Sequence, residues 1–154
     1  MSYSKEICNR IIHFLEEDNW KYRLNAEKEI IECGLVLDSK MKHVDIVFDL
    51  RDDKYFVYFT LPLAAGKDDR PEVRELMNRI NYGIMFGSFE MDERDGEVRF
   101  RNPIDCAAQL PTRDTVKTSL YRPAATIIKY ADAFVKVIMG VSTAKAAYEA
   151  AQDN

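Results

Sequence analysis

Cysteine, histidine and long apolar runs are all scarce in this chain, and each scarcity removes a class of function. The three cysteines, Cys8, Cys33 and Cys106, are odd in number and far apart, so they spell neither a disulfide framework nor a C-x-x-C zinc or redox pair. Reduced thiols in a cytoplasmic interior are the simpler reading. Only two histidines occur, His13 and His43, too few for a histidine-rich metal site. No window approaches the roughly 20 apolar residues of a membrane span. The N-terminal stretch mixes Lys5, Glu6, Arg10, Glu16 and Glu17 into its apolar residues, unlike an export signal. Six glycines and five prolines, mostly isolated, leave no stretch that could serve as a flexible tether between two domains. Glycine-rich nucleotide loops, the Gly-x-Ser-x-Gly elbow and His-Glu-x-x-His are also missing. Gly66-Lys67 lacks the glycine and the hydroxyl residue that a phosphate loop requires, and the acidic segment Asp92–Glu97 lacks the alternating oxygen ligands of a calcium loop.

What is present describes an ordinary globular domain. The 154 residues are 47% hydrophobic and 31% charged, with a net charge of −4, which suits one domain over 1–154 and disfavours a general coat for nucleic acid or anionic membrane. Ile7, Ile11, Phe14 and Leu15 recur at helical spacing between Ser4 and Asp18, and His13 falls on the opposite, solvated face. From Trp20 to Leu63 the period drops to 2. Trp20–Leu24, then Ile31, Cys33 and Leu35, then Val44, Ile46, Phe48 and Leu50 alternate with mostly polar neighbours, and the polar turns Asp38-Ser39-Lys40 and Arg51-Asp52-Asp53-Lys54 separate the later runs. An antiparallel meander follows.

The strand from Tyr55 to Leu63 differs from the others. Tyr55, Val57, Phe59 and Leu61 point one way while Phe56 and Tyr58 point the other, so neither face of it is plainly solvated. The protein's own helices can cover one face. Phe56 and Tyr58 are therefore the candidate interaction surface, for a homodimer or a protein partner.

Asp69-Arg70-Pro71-Glu72 reads as a helix start, with Asp69 as N-cap, Pro71 in the first turn and Glu72 closing a capping box, and a helix from about Pro71 to Tyr82 ended by Gly83. Two alternating runs, Phe86–Glu93 and Glu97–Ile104, flank Arg94-Asp95-Gly96. A two-residue turn at Asp95-Gly96 would set Asp92 opposite Arg99 and Glu90 opposite Arg101, with Phe89, Met91, Val98 and Phe100 on the core face. Thr112 is a candidate cap for a C-terminal helix whose stripe is Val116, Leu120, Ile127, Ile128, Ala131, Val135 and Ile138. Pro123 predicts a kink or break near Arg122, Gly140 a stop, and Ser142 the cap of a short last helix. Residues 99–136 carry seven basic and three acidic side chains, +4 against −8 for the remainder. That excess would suit an acidic partner or a local anion, unless hairpin carboxylates and solvent neutralise it. A reactive site would have to pair Cys33 or Cys106 with His43 across the sheet.

The segments Leu76–Asn81, Phe86–Met91 and Asp95–Arg101, joined by Ile138-Met139-Gly140-Val141-Ser142 and Ala146-Ala147, resemble the YbjN family of bacterial sensory transduction regulators. The resemblance implies an α+β fold, an antiparallel sheet packed with N-terminal, middle and C-terminal helices, similar to that of type III secretion chaperones, which are small dimers that bind other proteins. It carries over no catalytic, cofactor or metal residue. The expectation is a non-catalytic, cytoplasmic, chaperone-like or regulatory protein with a protein partner and a homodimeric state, acting on neither nucleic acid nor membrane. The competing class is a small-molecule binder or enzyme with a pocket between helix and sheet.

Overall fold

The computed structural model describes residues 2–153. The chain runs α1 (Lys5–Glu17), β1 (Arg23–Asn25), β2 (Ile30–Val36), β3 (His43–Leu50), β4 (Lys54–Ala64), α2 (Arg70–Gly83), β5 (Ser88–Met91), β6 (Glu97–Asp105), α3 (Arg113–Ile138) and α4 (Ala144–Gln152). The strands form one antiparallel sheet in the order β1-β2-β3-β4-β6-β5. This is the expected α+β architecture, with the extra short strand at Arg23–Asn25 rather than at Trp20.

Local chemistry sets the ends of the helices. Ser4 caps α1 by accepting the Ile7 N–H at 3.2 Å, and Thr112 caps α3 by accepting that of Thr115 at 3.1 Å. α2 starts where Asp69 and Pro71 predict, but Asp69 makes no side-chain cap. Glu72 closes no capping box either. Its carboxylate accepts the Ala144 N–H at 2.6 Å, pinning the start of α4 to α2 and favoured there by the positive end of the helix dipole. Thr143, not Ser142, is the α4 cap: its side chain accepts the Ala146 N–H, while the Ser142 hydroxyl bonds to the Thr143 carbonyl.

The hairpin register also departs from expectation. Glu90 pairs with Arg99 and Phe89 with Phe100, two residues away from the register that a two-residue turn would impose. The Asp92 N–H bonds the Glu97 carbonyl and the Gly96 N–H returns to the Asp92 carbonyl, so four residues form the loop. A slip of two keeps every side chain on its own face. Phe89, Val98 and Phe100 are accordingly buried and Met91 half-buried. At the outer edge of β5, the Asn81 carboxamide donates to the Phe89 carbonyl at 3.0 Å and accepts its N–H at 2.8 Å, blunting the edge against strand addition.

Pro123 does not break α3, which is continuous for 26 residues. Proline has no N–H for the carbonyl four residues back. Asn102, on the core side of β6, supplies the missing donor, its Nδ2 lying 3.1 Å from the Ser119 carbonyl. The Tyr55 hydroxyl donates to Ser119 Oγ at 2.9 Å, and Ser119 Oγ donates to the Val116 carbonyl at 2.7 Å. These polar groups are buried and linked, which removes the cost of placing them in the core. Around them Phe14, Phe48, Phe59, Phe100 and Phe134 are each under 2% exposed, and each contributes about 1.5–3 kcal/mol by leaving water. Ile128, placed on the core stripe by its spacing, is instead 61% exposed.

Candidate functional site

All four helices contribute to a single buried cluster that also holds the inward residues of the sheet. The other sheet face carries no fully buried residue: Ile30, Glu32, Val47, Asp49, Phe56, Tyr58, Arg99 and Arg101 are half-buried and Asp45 is exposed. Among the described residues no helix is laid across it.

β4 runs through the middle of that open face. Cross-strand pairing sets Phe56 between Asp49 and Pro103, Tyr58 between Val47 and Arg101, and Thr60 between Asp45 and Arg99. Phe56 and Tyr58, two residues apart on one strand, stack with ring centroids 5.8 Å apart and planes 13° from parallel. Two guanidiniums cover them, Arg99 at 4.2 Å from the Tyr58 centroid and Arg51 at 5.7 Å from that of Phe56, a contact in which the ring face attracts the cation. Arg51 is held by both oxygens of Asp49, at 2.8 and 3.1 Å. Burial pushes the Tyr58 phenol up from its ordinary value and Arg99 opposes the shift, so the hydroxyl stays protonated at neutral pH.

The charges on this face do not cancel locally. Arg99 Nε donates to Glu90 at 2.6 Å while Arg101 Nε lies 3.3 Å from the other Glu90 oxygen, unaligned as a donor and without another partner. Two cations share one carboxylate. Across the aromatic strand Asp45 is in none of the ion pairs among the described residues. The face is therefore slightly positive on its β6 side and slightly negative on its β3 side, with Phe56 and Tyr58 between. The aromatic pair was legible from alternation alone. Its arginine covers were not, because cation contacts depend on cross-strand register.

The alternative reactive groups do not meet. Cys33 pairs with Ile46 on the helix side of the sheet, whereas His43 pairs with the outward Val36, so the sheet itself separates thiol and imidazole. Cys106 is buried at the end of β6. Burial holds all three thiols above their ordinary value, Cys33 at about 12, the opposite of an activated nucleophile. Gly66 turns the chain into α2, its carbonyl accepting the N–H groups of Asp69 and Arg70. Among the described residues no three His, Cys, Asp or Glu side chains gather as metal ligands, and no helix is long and apolar enough to cross a membrane.

With helices on one side of a six-stranded antiparallel sheet and an aromatic strip on the other, the chain is an α+β domain of the helix-on-sheet class. Residues 8–136 match the model of the YbjN family, described as "Putative bacterial sensory transduction regulator", and the chain belongs to that family. Among solved structures it is similar to one described as "Crystal structure of YbjN, a putative transcription regulator from E. coli", with a TM-score of 0.59 at 11% identity, over 80% of this chain and 90% of that one. At that identity the likeness concerns the fold. No curated protein matches the sequence.

Proposed function

We propose that this chain is a non-catalytic regulatory protein of the cytoplasm that works by binding protein, and that the open sheet face joins two copies of it. The observation that carries the reading is the stacked Phe56–Tyr58 pair at the centre of a sheet face that no helix covers. Aromatic side chains with arginine neighbours are the groups that dominate protein interfaces. The family description, a sensory transduction regulator, supports the regulatory part.

The charge pattern favours a second copy and selects its orientation. Under a two-fold axis parallel to β4, the β3 side of one sheet lies over the β6 side of the other. Each unpaired Asp45 then faces the arginine-rich row of its partner, and the aromatic pairs meet in the middle. An axis perpendicular to the strands would set acid against acid and arginine against arginine, which complementarity disfavours. Face-to-face sheets of this kind pack about 10 Å apart, within reach of these side chains.

Light scattering after size exclusion tests the reading with the wild type, Phe56→Ser/Tyr58→Ser, Asp45→Arg and Arg99→Asp. The expected result is a wild-type dimer, folded monomers for the double-serine and single charge variants, and restored dimer when Asp45→Arg and Arg99→Asp chains are combined in one polypeptide. A wild type that is monomeric at all concentrations, with a double-serine variant that merely unfolds, would place these residues in a structural role and end the proposal.

A further inference from the structure

The basic excess of residues 99–136 is not absorbed by the sheet face, and most of it lies on α3. Arg113 is paired with Glu17 at 2.9 Å. Lys117, Arg122, Lys129 and Lys136 are in none of the ion pairs among the described residues. Arg122, Lys129 and Lys136 recur every seven residues along one flank of the helix. Beside them Tyr121, Ala125, Ile128, Asp132, Val135 and Met139 alternate at spacings of four and three, the seam of a coiled-coil helix with its three cations at one flanking position. That seam faces away from the sheet: Ile128 is 61% and Met139 64% exposed. Tyr121 is tied to α1 through Asp18, so the free part runs from Ala125 to Met139, about four helical turns.

Tertiary structure turns the seam into a groove. α4 packs alongside α3, and between them lies a hollow of about 420 Å³ whose floor includes Ala147 and Ala151 and whose wall includes Ile128. Lys129 and Lys136 stand on its rim. Asp132, the acidic residue among the lining side chains, accepts a hydrogen bond from the Ser39 hydroxyl at 2.8 Å, which cancels no charge, and Lys129 Nζ donates to the neutral Gln152 carboxamide at 3.2 Å, so two lysines against one aspartate leave the groove with a small positive excess.

We infer that the α3–α4 groove docks an acidic amphipathic helix of a partner protein, its apolar side against Ile128 and the alanine floor and its carboxylates against Lys129 and Lys136. Helix-in-groove recognition needs an apolar trough to anchor the helix, and the unpaired cations beside it choose a partner of opposite sign. The inference rests on the reading that this protein acts by binding protein, but it uses the surface on the other side of the molecule from Phe56 and Tyr58.

The test is fluorescence anisotropy with two synthetic stapled helices of about four turns, leucines along one face, flanked in one peptide by glutamates and in the other by lysines. The glutamate helix is expected to bind the wild type, more weakly as salt rises past a Debye length of about 10 Å, and the lysine helix not to. Lys129→Glu/Lys136→Glu, both positions on the surface, is expected to lose about tenfold or more for the glutamate helix and to gain affinity for the lysine helix. Ile128→Asp is expected to weaken binding of the glutamate helix. Phe56→Ser/Tyr58→Ser is expected to bind as the wild type does, so failure of the sheet interface and failure of this groove are read separately. No binding of the glutamate helix at about millimolar peptide, binding indifferent to the lysine reversal, or equal reversal-sensitive adsorption to vesicles of anionic phospholipid would each overturn the inference.

Discussion

Replacing Asn102 by leucine removes the donor that compensates for Pro123, and the two residues should therefore be energetically coupled although they lie on different elements. In the wild type the buried Ser119 carbonyl has no intrahelical N–H from position 123 and is satisfied by Asn102 at 3.1 Å. Asn102→Leu leaves that carbonyl unsatisfied in the core, at a cost of about 1–3 kcal/mol. For a chain of this size the loss lowers Tm by roughly 2–4 °C per kcal/mol. Pro123→Ala restores an N–H four residues beyond Ser119, so the carbonyl is again bonded inside the helix. In that background Asn102→Leu should cost less, by about 1 kcal/mol or more. Urea unfolding of the four proteins, fitted to two states with a common slope, measures the coupling directly. If the two substitutions add to within about 0.5 kcal/mol, Asn102 is not the stand-in for the missing proline donor and the account of the unbroken helix is wrong.

Gly96 has φ +81°, and a Cβ there would lie 2.0 Å from the Ala65 carbonyl oxygen, a backbone atom that cannot swing aside. Gly96→Ala should cost about 2–3 kcal/mol from left-handed strain and the disturbed Ala65–Gly96 hydrogen bond, and a urea midpoint equal to wild type would refute it. Gly83→Ala, with nothing within 4 Å of the added Cβ, serves as the near-neutral control. The thiols supply a pH prediction: Cys33 is raised from 9.0 to about 12, and Cys8 and Cys106 are also raised by burial. A raised acid is neutral in the folded chain and ionises earlier in the unfolded one, so its stabilising contribution is complete below about pH 9 and falls as the pH climbs toward 12. Thermal melts from pH 8 upward should show that decline, and iodoacetamide at pH 8 should label the unfolded chain far faster than the native one. Equal labelling rates would show that the thiols are not sheltered.

Sequence alone determined the elements and most of their faces, because side-chain period and turn chemistry are local. The alternation from Tyr55 to Leu61 told which residues enter the core and isolated Phe56 and Tyr58 on the other side. Ser4 and Thr112 marked their helix starts, and Gly96 and Gly140 took the positive φ their positions required. Where a choice depended on atoms far away in the chain, local reasoning failed. The four-residue hairpin loop is held from another strand's end, where the Ala65 N–H donates to the Gly96 carbonyl at 2.9 Å and Ala64 pairs with Glu97. Glu72 abandons its capping box for the N-terminus of α4. Pro123 is tolerated inside a helix because a strand residue, Asn102, reaches its orphaned acceptor. Tertiary structure alone decided that every helix packs on one side of the sheet, which leaves the aromatic pair open, and that α4 lies along α3, which turns a row of lysines at heptad spacing into the rim of a groove. Those outcomes depend on contacts between residues tens of positions apart, and no period in the sequence encodes which element will be the neighbour.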